Sequence, residues 1–254
     1  MKRHLLSLCA LFVMMAPAAH AEQIVAARYV EPVERYGHYA LGRPHEYARL
    51  VATTDAARDV GLDLPREEVF EDLAPRLVRL ADQAPAELLA IVSSRDGGSR
   101  LALVGLEGNR LEIVAQSAPI GRPNRWLNPV GVADLNGNGE AEIAAVTTPH
   151  LGGVLRVYRR RGERLVEIHS LSGFSNHAYG SPELGLSRPA RIDGCMQLLV
   201  PDGRRASVSA IMLSDAGLVE TDRCRFSEPI TAPEALDDCE HRLNQAVLIM
   251  PESS

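Results

Sequence analysis

Val130-Gly-Val-Ala-Asp134-Leu-Asn136-Gly-Asn138-Gly139-Glu140-Ala-Glu142-Ile-Ala-Ala-Val-Thr147 is the stretch whose reading decides the fold. Two short runs of small and β-branched apolar residues flank a polar, glycine-rich connector. Runs of this length suit strands and are too short for helices. Working outward, the pattern predicts four strands at Val130–Ala133, Glu142–Thr148, Val154–Arg159 and Arg164–Leu171. They are joined by the polar loop, the turn Pro149–Gly153 and a tight hairpin around Arg161-Gly162. One such antiparallel sheet cannot bury both of its faces alone. Alternating residues such as Ile143, Ala145, Leu155 and Val157 are therefore expected to pack against neighbouring sheets.

The pattern recurs along the chain. Arg79-Leu-Ala-Asp-Gln-Ala-Pro-Ala-Glu87, followed by LLAIV, matches Asp134–Glu142, followed by IAAVT, at an offset of 55. Gly108-Asn-Arg110-Leu matches Gly162-Glu-Arg164-Leu at 54, and Leu165-Val-Glu167 returns as Leu218-Val-Glu220 at 53. A period in the fifties means β-sheet units set side by side or around an axis. The fold expected is all-β: a small β-propeller-like array of four-stranded antiparallel repeats, about four or five blades, in one domain over 22–254. Repeats fall at roughly 24–71 (incomplete), 72–125, 126–180 and 181–225, before a tail at 226–254. In the tail, Thr231 and Glu234 have capping-box spacing and predict a short helix over Ala235–Asn244. Gln245–Met250 then reads as a strand, either closing a ring against N-terminal material or packing outside it.

The connector carries the most specific chemistry. Asp134, Asn136, Asn138 and Glu142 put oxygen side chains at loop positions 1, 3, 5 and 9, with Gly139 at position 6 for the bend and the Glu140 carbonyl as a further ligand. Calcium wants six to eight hard oxygens. An EF-hand is excluded, because position 12 is Ala145 where a bidentate glutamate is required. The plain alternative is a turn whose side chains bond the backbone.

With these residues in place, the segment Val132–Val146 resembles the FG-GAP or VCBS type of repeat, known from integrin α-chain propellers and many exported bacterial proteins. The whole chain resembles exported proteins of that group, including Val69-Phe-Glu-Asp72, Gly121-Arg-Pro-Asn-Arg-Trp126 and Pro149-His150-Leu151. The resemblance implies that Asp134, Asn136, Asn138, Glu140 (main chain) and Glu142 ligate a structural calcium. The preceding copy departs from it, with Arg79, Ala81 and Ala84 where Asp134, Asn136 and Gly139 stand, so a cationic side chain paired with Glu87 would replace the ion there. A single site with two formal negative charges should bind weakly, at ~10⁻⁴–10⁻³ M.

The N-terminus reads as an export signal: Lys2-Arg3, an apolar run over Leu5–Met15, and Ala19-His-Ala21 with cleavage expected after Ala21. The expected location is periplasmic or secreted, with no membrane span. Net charge is −6, becoming −8 once Lys2 and Arg3 leave, which argues against nucleic acid as a partner. Cys195, Cys224 and Cys239 remain, an odd number in a compartment that permits disulfides. A Cys195–Cys239 bridge would tie the tail to the last repeat, and Cys224–Cys239 is the rival pairing.

No nucleophile elbow, zinc-binding helix or phosphate-cradling loop occurs. The adjacent acids Glu67-Glu68 and Asp237-Asp238 point to different faces, and the arginine run Arg156–Arg164 reads as a solvated hairpin paired with acids such as Glu163 and Glu167. In an up-and-down sheet alternate connections share an end, so the calcium loop and arginine hairpin lie at one end and the longer loops at the other. His38, His45, Arg122, Trp126, His150, Asn176 and His177 fall in or near those longer loops and form the candidate ligand face. The function expected is a monomeric, non-catalytic binding or scaffold protein with an unknown protein or glycan partner. The alternatives are a hydrolase acting through loop-face histidines and a structural subunit of an envelope assembly.

Overall fold

The computed structural model describes residues 21–43 and 45–247, so the expected export signal up to His20 and the residues after Val247 lie outside the described part. Strands make up 51% of the chain and helix 5%, so the fold is mostly β. The strands fall into four consecutive groups. The first is β1 (Ile24–Pro32), β2 (Tyr47–Thr54) and β3 (Asp59–Asp63), and β4 (Glu68–Phe70) follows as a connector. The second is β5 (Arg76–Val78), β6 (Glu87–Ser94), β7 (Gly98–Glu107) and β8 (Arg110–Ser117). The third is β9 (Leu127–Ala133), β10 (Glu142–Thr147), β11 (Val154–Arg161) and β12 (Arg164–Ser172). The fourth is β13 (Arg188–Ile192), β14 (Cys195–Pro201), β15 (Ser207–Ser214) and β16 (Gly217–Arg225), and α1 (Glu234–Val247) closes the described chain.

Within each group neighbouring strands pair antiparallel. The first three groups join into one curled path, β1-β2-β4-β6-β7-β8-β12-β11-β10-β9, with β3 on β2 and β5 on β6, while β13–β16 form a separate sheet. The links between groups are slight: β4 bridges the first two, and the parallel pairs Arg164–Gln116 and Leu165–Ser117 join the second to the third. The result is a curled sheet and a four-stranded sheet, and not a clear closed propeller.

Packing explains the arrangement. β6 is an apolar run buried on both faces: Leu88, Ala90 and Val92 meet the first group, while Leu89 and Ile91 meet Trp126, Ile143 and Ala145 of the third. β10 repeats the device, with Ala144 and Val146 packing on Leu198, Val200 and Ile211 of the fourth group. Three of the four core clusters thus lie between consecutive groups, the second also taking in Ala40 and Leu41 of the β1–β2 loop, while the fourth lies beneath α1; among the described residues none joins the first group to the fourth.

The outer face of the fourth group is covered by α1, whose Leu236, Cys239 and Leu243 fall on one helical face against Ile192, Leu199 and Val208. That spacing carries the helix through Val247, correcting the strand expected from Gln245 for the residues up to that point. Acidic Glu234 and Asp237 in its first turn suit the helix dipole. Arg188 of β13 pairs with Asp237 at 2.8 Å and Glu240 at 2.6 Å.

Cys224 is bonded to Cys239, and Cys195 is free and exposed. This corrects the Cys195–Cys239 pairing in favour of its rival: β16 lies beside α1, whereas Cys195 opens β14 with its side chain in solvent. Closing a loop of 15 residues removes unfolded-chain entropy worth about 3 kcal/mol. Reduction, or Cys239→Ser, is therefore expected to lower stability by about that amount, read by urea unfolding with and without reductant. An unchanged midpoint on reduction would mean that the bridge does not secure the helix.

The connections segregate to two ends. The turns β2–β3, β7–β8 and β11–β12 and the loops β5–β6 and β9–β10 share one, where Arg58 reaches the Asn109 carbonyl and Ala141 N–H donates to Leu80. At the opposite end the β1–β2 loop docks on the β12–β13 connection, through Gly180 N–H to Ala40 at 2.7 Å. Gly42, at φ +80°, could not be replaced freely there, because a Cβ would sit 3.2 Å from the Gly180 carbonyl oxygen.

Candidate functional site

The second of these ends holds a cleft of about 170 Å³ lined by His38, Trp126, Thr148, His150 and Tyr179, with half-buried Arg125 and exposed Leu151 alongside. Its residues come from the β1–β2 loop, the β8–β9 connection, the β10–β11 turn and the β12–β13 connection. Three stretches singled out in the sequence meet here: 69–72 supplies Glu71, 121–126 supplies Arg125 and Trp126, and 149–151 supplies His150 and Leu151.

A hydrogen-bond network braces the cleft wall. The Glu71 carboxylate, 1% exposed, accepts from His38 Nδ1 at 2.8 Å and from Ser93 Oγ at 2.7 Å, while its carbonyl accepts from Trp126 Nε1 at 3.0 Å. Its neighbour Asp72 is spent elsewhere, on Arg76 at 2.7 Å. Glu46 accepts the backbone N–H groups of Tyr36, Gly37 and His38, fixing the loop that presents His38. His150 Nε2 and His177 Nδ1 are 2.8 Å apart, and His177 Nε2 donates to the Ser181 carbonyl at 2.9 Å. The Trp126 and His150 rings are parallel to within 1° at 6.1 Å.

Electrostatics keep both imidazoles neutral near pH 7. Burial pushes His150 down to about 4, helped by the nearby His177, His38 and Arg205, and burial with Arg205 likewise pushes His177 to about 4. Backbone strain gathers at the same end, where Tyr39, Asn124 and Thr148 have φ of 56°, 52° and 51°. A β-branched residue with positive φ is held there only by its surroundings.

Of the residues expected to form a ligand face, His38, Trp126, His150 and His177 come together. Arg122 and His45 do not line the cleft. Asn176 is fully buried as a clasp, exchanging side-chain bonds to backbone with Asn128 at 3.2 Å in each direction and donating to Ser187. Glu71 and Tyr179 went unread in the sequence. The only signal would have been an acid and an aromatic placed in connections between sheet groups.

At the opposite end the 134–142 loop is internally bonded. Asp134 accepts the N–H groups of Asn138 and Gly139 at 3.0 and 2.8 Å, Asn136 accepts from Asn138, and Asn138 accepts from Glu140. The Gly139 N–H and its neighbours hold the Asp134 carboxyl below the usual range. These oxygens keep spare lone pairs for a cation. Glu142 fits less well: its fully buried carboxylate is bound by Arg159 at 2.6 Å, Asn136 Nδ2 at 3.0 Å and Leu135 N–H at 3.1 Å.

In the copy at 79–87, Glu87 is bound by Arg160 at 2.5 Å, and Arg79 turns to the Ala84 carbonyl. A cavity of about 270 Å³ lies between these two loops, but Arg159 and Arg160 beside it are already paired. With Arg156 on Glu167, the arginine hairpin is largely neutralised.

No protein-family model matches the chain, and no curated protein matches it. No described helix is long and apolar enough to cross a membrane.

Proposed function

We propose that the protein is an exported, non-catalytic binding or scaffold protein of the FG-GAP/VCBS type, periplasmic or secreted. On this reading the four strand groups are blades of a small propeller-like array and the end that holds the cleft is the ligand face. The observation that carries it is the cleft, where loops from three strand groups converge on a strained, hydrogen-bonded cluster around Trp126. A pre-ordered cleft of this kind suits binding without loop rearrangement. Calcium, on this reading, is structural: held by Asp134, Asn136, Asn138, the Glu140 carbonyl and Glu142, it would cross-link the loop, competing with Arg159 for Glu142.

A second reading, a hydrolase, draws on the same geometry, since an imidazole oriented by a carboxylate, as His38 is by Glu71, also serves a general base. Generic glycoside, ester and phosphoester substrates, offered with and without divalent metal, separate the two. The binding reading expects no turnover, and turnover that disappears in His38→Asn or His150→Ala would replace it with the hydrolase.

A further inference from the structure

The donor and acceptor pattern of the cleft narrows its ligand. A carbonyl only accepts, so the bond from His177 Nε2 to Ser181 places that ring's proton on Nε2. His177 Nδ1 is then an acceptor, and His150 Nε2 must donate to it. His150 Nδ1 is left as a lone pair on a residue that lines the cleft. Opposite, the Glu71 carboxylate accepts the hydrogen bond of His38 Nδ1, so that Nε2, on a side chain 10% exposed, is the ring nitrogen left for a ligand, a second lone pair whenever the ring carries one proton.

A ligand must therefore bring donors, and the surroundings disfavour a cationic one. Arg125 lines the same cleft, and both nearby carboxylates are committed, Glu71 to His38 and Ser93 and Glu46 to backbone N–H groups. Neutral donors close together are the hydroxyl groups of a sugar or, less densely set, the N–H groups of a peptide amide. A volume of about 170 Å³ falls below the roughly 300 Å³ of pockets for drug-sized molecules and holds one small ring. Tyr179 supplies an apolar platform: the residue is 60% exposed, yet its hydroxyl is tied to the His38 carbonyl at 2.7 Å and its ring stands nearly perpendicular to that of His150 at 5.3 Å. Leu151, also 60% exposed, extends that surface.

We infer that the cleft binds one pyranose ring of a glycan, its C–H face on Tyr179 and its hydroxyls donating to His38 Nε2 and His150 Nδ1. The inference rests on the binding reading above. It is tested with methyl α-glucopyranoside, methyl α-mannopyranoside, methyl β-galactopyranoside and N-acetylglucosamine, with Ala-Ala-Ala amide as the peptide arm. The readouts are thermal shift and the fluorescence of Trp126, the only tryptophan.

At least one sugar should bind with millimolar half-saturation. Binding should weaken at least tenfold in Tyr179→Ala and in His38→Asn, with wild-type circular dichroism retained in each. No response to any sugar, or a response that survives Tyr179→Ala, overturns the inference. Binding of the peptide amide alone rejects the glycan and leaves the binding reading standing. Hydrolysis of a bound glycoside keeps the ligand class and rejects the non-catalytic reading.

Discussion

Arg159→Ala is expected to destabilise the protein by about 3 kcal/mol. Removing one partner of a buried ion pair typically costs 3–5 kcal/mol, because the other charge is left uncompensated. The lower end applies, since the Glu142 side chain is fully buried but that of Arg159 is 30% exposed. The same change frees the one carboxylate of the 134–142 loop that a cation must win from the protein. Millimolar calcium should therefore restore part of the loss.

At ten times the dissociation constant the linkage is RT ln 11, about 1.4 kcal/mol, and wild-type protein, whose Arg159 competes, should respond less. Urea unfolding of both proteins in chelator and in calcium at about 10 mM, roughly tenfold above the weak end of the expected affinity range, measures this. Asp134→Ala should remove the response in either background. If calcium moves neither Arg159→Ala nor wild type, the loop is a plain turn and the calcium reading is lost.

Acid should act on the other end of the molecule. An imidazole unfolded at about 6.5 and folded at about 4 differs by some 2.5 units, worth up to about 3 kcal/mol. Both shifts are downward, so the unfolded state binds the extra protons. Stability from the neutral His150–His177 pair is complete above pH 6.5, falls progressively as pH drops toward 4, and levels below that.

His177→Gln retains a donor for the Ser181 carbonyl without the titration. It should flatten the slope of unfolding free energy between pH 6.5 and 4.5, and His150→Asn should flatten it further. Equal slopes in wild type and the double variant would show that the acid sensitivity belongs to carboxylates elsewhere.

Much of this could be read from sequence because it depends on local alternation. The strands of the third group lie where the apolar runs put them, with β9 starting three residues early at Leu127 because Leu127 and Asn128 are buried too. The segregation of loops to two ends follows from strand direction alone, which is why His38, His150 and His177 could be grouped in advance. What escaped depends on tertiary contact. Glu71 matters only because Ser93, His38 and Trp126 reach it from three separate segments. Arg159 and Arg160 are adjacent, yet they serve acids in different strand groups, which no spacing announces. Cys239 meets Cys224 because an amphipathic helix lies back over the fourth sheet, whereas the sequence also allowed a strand after that helix.

The stepwise burial of the core gives the molecule a polarity that a closed ring lacks. A stack whose sheets pack mainly on their successive neighbours, with only loop contacts reaching further, loses order from its ends, and its two ends differ here. One is fastened by a helix and a covalent bridge; the other is a three-stranded group whose first strand, β1, pairs only with β2. Local opening should therefore begin among β1–β3 and spread inward, so that their amide protons exchange well before those of β6 and β10, which are flanked by packed sheets on both sides. Because the β1–β2 loop also carries His38, fraying at that end withdraws one wall of the cleft while the His150–His177 pair stays in place. Occupancy of the cleft and order in the weakest part of the chain are thereby thermodynamically linked.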